Sequence, residues 1–188
     1  METSVKHYRS NGKLLLSGEY LVLHGAWSLA VPTVYGQSLL IRDMDRRDIL
    51  HWTALVMEDP WLKFEINPDS WEMIHGETGD EAFRLIRVLS AASEIRGDRE
   101  WLKGKEAHAQ VEFDIGWGLG SSSTLISNVA WWAGIDPFLL ARSVSGGSGY
   151  DIACARSDRP LLYRTDGVNP AIHPVDFKPP FHGQLAFV

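Results

Sequence analysis

The segment Phe113-Asp114-Ile115-Gly116-Trp117-Gly118-Leu119-Gly120-Ser121-Ser122-Ser123-Thr124 constrains the fold more than any other part of the chain. Before and into it, His108 to Asp114 alternates, with Ala109, Val111 and Phe113 on one face, which is the period of a β-strand. After it, Leu125, Ile126, Val129, Ala130 and Ala133 recur at helical spacing until Gly134. A strand, a glycine-rich turn and a helix start therefore follow one another directly. Glycine lets the backbone enter left-handed conformations and approach a ligand closely. The helix start offers unpaired N–H groups and the positive end of the macrodipole, and both suit an anion such as phosphate. The serine hydroxyls can cap the helix, donate to a phosphate oxygen, or ligate magnesium, which prefers hard oxygen donors. Other glycine motifs fit badly. No lysine follows the turn as in a P-loop, and Gly116-x-Gly118-x-x-Ser121 lacks the third glycine of a dinucleotide fingerprint. Neither glycine turn of the chain contains a Gly-x-Ser-x-Gly nucleophile elbow.

Around this segment the chain reads as a sheet first and helices later. Lys13 to Leu16 and Tyr20 to Leu23 are short apolar runs parted by Ser17-Gly18-Glu19, so they form two buried strands or one strand interrupted at Gly18. Strands are expected over 37–42, 49–56 and 61–66, with turns at 43–48 and at Asp59-Pro60. Thr78-Gly79-Asp80-Glu81 has the form of a capping box, opening a broadly apolar helix that includes Phe83 and ends at Gly97. Asp136-Pro137 is an N-cap followed by proline at the first helical position, and it opens a short helix through Val144. Ser145 to Gly149 is a second flexible turn, and 160–164 and 184–188 read as strands. Trp131 and Trp132 are expected to pack, and Trp117 either packs in the core, as most tryptophans do, or touches the ligand of the turn.

At 188 residues the chain can build one domain with a sizeable core, or one domain and the beginning of a second. A formal net charge of -6 argues against a general nucleic-acid binder, which needs a basic surface to displace counterions. It does not argue against a nucleotide, whose phosphates can be held by backbone amides and a lysine. Cys154 is the only cysteine, so no intramolecular disulfide can form, and a reducing cytoplasm fits best. It reads as a small buried residue rather than a nucleophile. Met1 to Ser10 is too polar for a signal peptide, and no apolar run approaches the roughly 20 residues that span a bilayer. The expectation is a cytoplasmic protein with neither membrane nor nucleic acid as partner. Its seven histidines show no ligand spacing, so no zinc site is expected.

Gly118-Leu119-Gly120-Ser121-Ser122-Ser123 resembles the second motif of the GHMP kinases, the family of galactokinase, homoserine kinase, mevalonate kinase and phosphomevalonate kinase. Ser10-Asn11-Gly12-Lys13-Leu14-Leu15-Leu16-Ser17-Gly18-Glu19-Tyr20 resembles the N-terminal motif of the mevalonate and phosphomevalonate branches. Gly147-Ser148-Gly149-Tyr150-Asp151 resembles the segment that carries the catalytic aspartate, and the three fall in family order. The resemblance implies an α+β fold like ribosomal protein S5 domain 2, a mixed sheet with packed helices, over residues 1–180. Residues 181–188 would then begin a C-terminal domain, the place of the third family motif. It also implies a kinase that takes ATP and magnesium and phosphorylates a small-molecule substrate, and it allows a homodimer. Mevalonate is the first acceptor to consider and phosphomevalonate the alternative. A non-catalytic, kinase-derived protein that binds a nucleotide or a partner is the reading of a different class.

The same resemblance distributes roles. Asp151 is the catalytic carboxylate that accepts or orients the acceptor's proton. Lys13 is its catalytic partner, holding it ionised and touching the transferred phosphoryl group. Gly118, Leu119, Gly120, Ser121, Ser122 and Ser123 bind the nucleotide, with Ser122 as the magnesium-linked hydroxyl. Glu19, Ser148 and Gly149 serve the acceptor substrate. Two positions depart from the family pattern. Asp114 stands where many members have proline. Counting back from Asp151, Leu140 stands where mevalonate kinases carry a magnesium-binding glutamate. Leucine cannot ligate a metal, so Ser122, ATP and water hold the ion, or another carboxylate substitutes, or activity is weak.

Overall fold

A computed structural model of the chain describes residues 5–76, 78–167 and 169–184, except for the side chain of His182. Alternating apolar residues build the strands β1 (Lys6–Ser17), β2 (Ser28–Asp43), β3 (Leu50–Val56), β4 (Asp59–Ile66), β5 (Met73–Gly76), β6 (Lys105–Val111), β7 (Leu161–Thr165) and β8 (Pro170–Pro174). The helices are α1 (Asp80–Arg96), α2 (Ser121–Ala133), α3 (Pro137–Val144) and α4 (Tyr150–Ala155). All strands join one eight-stranded sheet in the order β5-β4-β3-β6-β2-β7-β8, with β1 also paired to β2. The sheet is mixed, because β3 runs parallel to β6 while the other pairs are antiparallel. The chain is therefore α+β, as expected.

Strand β2 organises the sheet. Its last residues, Gln37 to Asp43, pair with β6, and its first, Ser28 to Ala30, pair with β7. Strand β1 follows it from Lys6 opposite Ile41 to Ser17 opposite Leu29, with the register slipping between Asn11 and Lys13. A bulge of this kind bends the strand and re-aims its side chains. It falls at Gly12, where a Cβ would lie 2.5 Å from the Thr33 hydroxyl and 2.9 Å from the Leu119 carbonyl oxygen. Only glycine lets β1 come this close to the turn before α2.

The main core lies between the sheet and the helices. Leu39, Trp52 and Phe64 from the strands meet Leu89, Val129 and Leu140 from the helices, all of them buried. Burial in β3 alternates as its sequence does, with Leu50, Trp52 and Ala54 inside. The helix ends follow local rules. Gly97 and Gly134 close α1 and α2 in left-handed conformation. The Asp136 carboxylate accepts from the amides of Phe138 and Leu139 and opens α3 where expected.

Several expectations are corrected. Tyr20 to Leu23 is not a strand. Gly18, at φ 87°, turns the chain out of the sheet, and the amides of Leu21 and Val22 both donate to its carbonyl. A 3-10 turn, Val22–His24, follows, and only Val22 of that run is buried. The β3–β4 turn sits at Met57 (φ 56°), and Asp59 already pairs with Val56. Pro60 sits at a register shift of the β3–β4 pair, and strands admit proline at such bulges. The capping box does not form: Gly79 is the N-cap of α1, with no side-chain cap. Phe83 and Trp131 are exposed, while Trp132 packs. Gln184 ends a 3-10 turn, and the rest of the strand expected over 184–188 lies outside the described residues. Strands β5 and β8 had no clear sequence signal. Among the described residues no helix is long and apolar enough to cross a membrane.

Candidate active site

Beyond β6 the Asp114 carboxylate accepts from the Gly116 amide at 2.7 Å and opens a single 3-10 turn, Ile115–Trp117. Gly118 (φ 71°) and Gly120 (φ 88°) then take left-handed backbone, which reverses the chain into α2. A Cβ on Gly120 would lie 2.8 Å from the Ser123 hydroxyl and 3.1 Å from Lys13 Cγ, so both space and φ demand glycine. No side chain caps α2. The Thr124 amide donates to Gly120 at 3.0 Å, and the amides of Ser121, Ser122 and Ser123 have no protein acceptor among the described residues. Three N–H groups and the helix dipole are left for an anion.

The six residues of the glycine-serine motif divide by burial. Leu119 is buried against Val111 and Phe113 and anchors the turn from below. Ser123 is also buried, and its hydroxyl donates to the Gly120 carbonyl at 3.0 Å. Its side chain is thereby committed to the turn, leaving its amide for a ligand. Ser122 is exposed and Ser121 half-buried.

Strand β1 delivers Lys13 to this turn. The Lys13 amide donates to the Leu119 carbonyl at 2.9 Å, and its Nζ donates to the Gly118 carbonyl at 2.8 Å. The same Nζ lies 5.7 Å from the centre of the Tyr150 ring, so Lys13 stands between the turn and the start of α4. That start is shaped by Gly149 (φ 85°), where a Cβ would meet the Tyr163 hydroxyl at 3.1 Å and the Phe138 ring at 3.2 Å. From β7, the Tyr163 hydroxyl donates to the Ser148 carbonyl and pins the turn. Asp151 follows in the first turn of α4, partly exposed, with Oδ1 accepting from the Ile152 amide at 3.0 Å.

The fold therefore brings together Lys13, the Gly118-to-Ser123 turn and the Ser148-to-Asp151 turn, which are distant in sequence. Among the described residues Lys13 and Asp151 form no ion pair, and the ammonium donates to the Gly118 carbonyl. Both nevertheless act on Cys154. Burial pushes its thiol up to about 12, the charge of Asp151 adds to the rise, and Lys13 partly offsets it. A thiol so buried and so weakly acidic is inert, as expected. Burial also raises the Tyr163 hydroxyl above its ordinary value, with Asp151 contributing. Glu19 stands exposed in the turn after β1, and no hydrogen bond or ion pair among the described residues ties it to the site. Trp117 lies half-open against Tyr35, with ring centres 6.2 Å apart, and is not in the core. A one-turn 3-10 helix at the surface offers it no inward face.

Leu140 is fully buried and packs in the main core. No group of three or more His, Cys, Asp or Glu gathers to hold a metal among the described residues. Magnesium usually keeps several waters and takes one or two carboxylates beside the substrate's phosphates. Among the described residues the donors at the turn fit it weakly: Ser122 is an exposed hydroxyl, and no carboxylate cluster stands beside it.

Beside Ser121 and Ser122 lies a cavity of about 190 Å³. Trp52, Leu62, Leu85 and Ile126 give it apolar walls, and Glu81 and Arg84 of α1 stand at its rim. Sequence reading missed it. Its walls come from β2, β3, β4, β6 and two helices, so no local pattern announces it.

No family model matches the chain, and no curated protein does. Solved structures do. The mevalonate kinase of Methanococcus jannaschii superposes with a TM-score of 0.64 at 12% identity, over 94% of this chain and 57% of that one. A Lactococcus lactis galactokinase complexed with galactose gives 0.64 at 17% identity, over 93% and 48%. A Streptococcus pneumoniae phosphomevalonate kinase in complex with phosphomevalonate and AMPPNP gives 0.60 at 18% identity, over 85% and 50%. The chain thus spans about half the length of these structures. Despite the low identity, the element order and sheet agree with the expectation drawn from the three ordered motifs. The chain is an α+β protein with the GHMP kinase fold.

Proposed function

We propose that the chain forms the nucleotide-binding part of a metabolite kinase that transfers the terminal phosphoryl group of ATP to mevalonate or a related small alcohol, with phosphomevalonate as the alternative acceptor. The observation that carries this reading is the uncapped start of α2, with its three free amides beside Lys13, which reaches across to the start of α4 where Asp151 stands. ATP's triphosphate lies on these amides, and its base enters the adjoining cavity. Lys13 exchanges the Gly118 carbonyl for a phosphate oxygen, a short move for a flexible ammonium. Asp151 accepts the proton of the attacking hydroxyl, and Ser148 and Gly149 shape the acceptor's approach. Such positioning and charge stabilisation are most of what phosphoryl transfer asks of a protein. Magnesium would neutralise phosphate charge, and Ser122 is the residue that would help to hold it. Glu19 supports the acceptor side from the turn after β1.

The buried Leu140 favours a second reading, a kinase-derived protein that binds nucleotide without transferring phosphate. Measuring ATP affinity and ATP consumption with mevalonate, phosphomevalonate and sugar acceptors separates the two. We expect turnover with one acceptor, and Asp151→Asn to abolish it while ATP affinity stays nearly unchanged. ATP binding with no turnover on any acceptor would sink the kinase reading. Loss of ATP binding in Asp151→Asn would remove Asp151 from its role.

A further inference from the structure

Gln37 of β2 lines the cavity beside α2 and is only 3% exposed. Its backbone carbonyl accepts from the Asn128 side-chain Nδ2 at 2.8 Å, and the Thr124 hydroxyl donates to its side-chain Oε1 at 2.7 Å. That hydroxyl has a second acceptor, the Ser121 carbonyl at 2.9 Å, and one proton to give. Two arrangements follow. Thr124 donates to the Gln37 oxygen and leaves the side-chain NH2 unpaired. Alternatively, it donates to Ser121 and accepts from the NH2 of a flipped amide, which leaves the amide oxygen unpaired. In both, one polar atom of a buried side chain has no protein partner among the described residues. Glu81 and Arg84 are exposed at the rim, Leu85 and Ile126 give apolar walls, and Trp52 adds its ring and a buried indole N–H that has no partner among the described residues. Unpaired polar atoms in such surroundings are costly, and a ligand that pairs one binds better for it.

We propose that Gln37 is the residue that reads the base of the bound nucleotide, hydrogen-bonding a purine edge through the side-chain atom that Thr124 leaves free. This rests on the nucleotide reading above. At about 190 Å³ the cavity is smaller than the roughly 300–1,000 Å³ that encloses a whole ligand, and it suits one ring system with the phosphates outside. A purine edge carries donors and acceptors in alternation, so it can meet the amide in either orientation. The contact lies at the end of the cavity where α2 begins, because Thr124 and Ser121 belong to that first turn.

The test is a set of binding titrations on wild type, Gln37→Leu and the length-preserving Gln37→Met. The ligands are ATP, analogues each lacking one polar atom of the base (purine riboside triphosphate, 1-deaza-ATP and 7-deaza-ATP), and inorganic tripolyphosphate. We expect one analogue to bind wild type about tenfold more weakly than ATP, the size of one hydrogen bond. That gap closes in both variants, and tripolyphosphate binds all three proteins equally. If wild type binds every analogue as it binds ATP, the proposal is overturned without recourse to a variant. It is also overturned if the gap persists in the variants, or if they lose tripolyphosphate too, since Gln37 would then be holding the helix start. If wild type binds neither ATP nor tripolyphosphate, the nucleotide reading itself has failed, and the proposal falls with it.

Discussion

Residues adjacent in the glycine-serine turn have different tasks, and burial decides which. Leu119 and Ser123 face inward and hold the turn, whereas Ser122 faces out. Gly120 is the most constrained of them. Its φ of 88° is left-handed, and a methyl group there would press on the Ser123 hydroxyl and the Lys13 side chain. Alanine at such a dihedral costs about 1–2 kcal/mol before any contact is counted. Gly120→Ala should therefore lower the melting temperature and weaken ATP binding together. An unchanged melting temperature with normal affinity would mean that the turn adapts freely. The glycine pattern itself was readable, because left-handed backbone leaves its mark on residue choice. The division of labour among the serines was not, because burial depends on what lies underneath.

At the scale of elements, those with local signals were the legible ones. Asp136-Pro137 carries both the cap and the proline that open α3, and the carboxylate makes the expected bonds. Thr78-Gly79-Asp80-Glu81 carries an equally plain signal, yet α1 begins one residue later than that pattern requires. Gly79, in extended conformation, takes the cap position, and Thr78 falls outside it. Denaturant melts should separate the two cases. Asp136→Ala is expected to cost about 1 kcal/mol, and Thr78→Ala is expected to change stability by no more than an ordinary surface substitution. A loss at Thr78 as large as that at Asp136 would restore the capping box. The run Tyr20 to Leu23 failed for a similar reason. An apolar run is compatible with a strand, but Gly18 packed against Ser28 directs it out of the sheet.

At the scale of the whole molecule, the position that counting back from Asp151 sets against the family's magnesium-binding glutamate is part of the core. Leu140 is fully buried among residues of α1, α2 and the sheet. Leu140→Ala is expected to cost about 2–5 kcal/mol, as cavity-forming changes do. Leu140→Glu should be worse, because it buries a carboxylate without a partner, and added magnesium should not recover its melting temperature. Recovery by magnesium would show that a metal can be seated there after all. The strand–turn–helix unit, the order of the three motifs and the helix α3 could be read from the residues alone, because each rests on contacts between near neighbours. That Lys13 donates to Gly118 and forms no ion pair with Asp151, and that a cavity opens beside Ser121, follows only from the packed fold. The same is true of the free atom of Gln37 inside that cavity. These depend on where β1, β2 and α1 lie relative to the turn, and such long-range distances are set by packing that no short stretch of chain encodes.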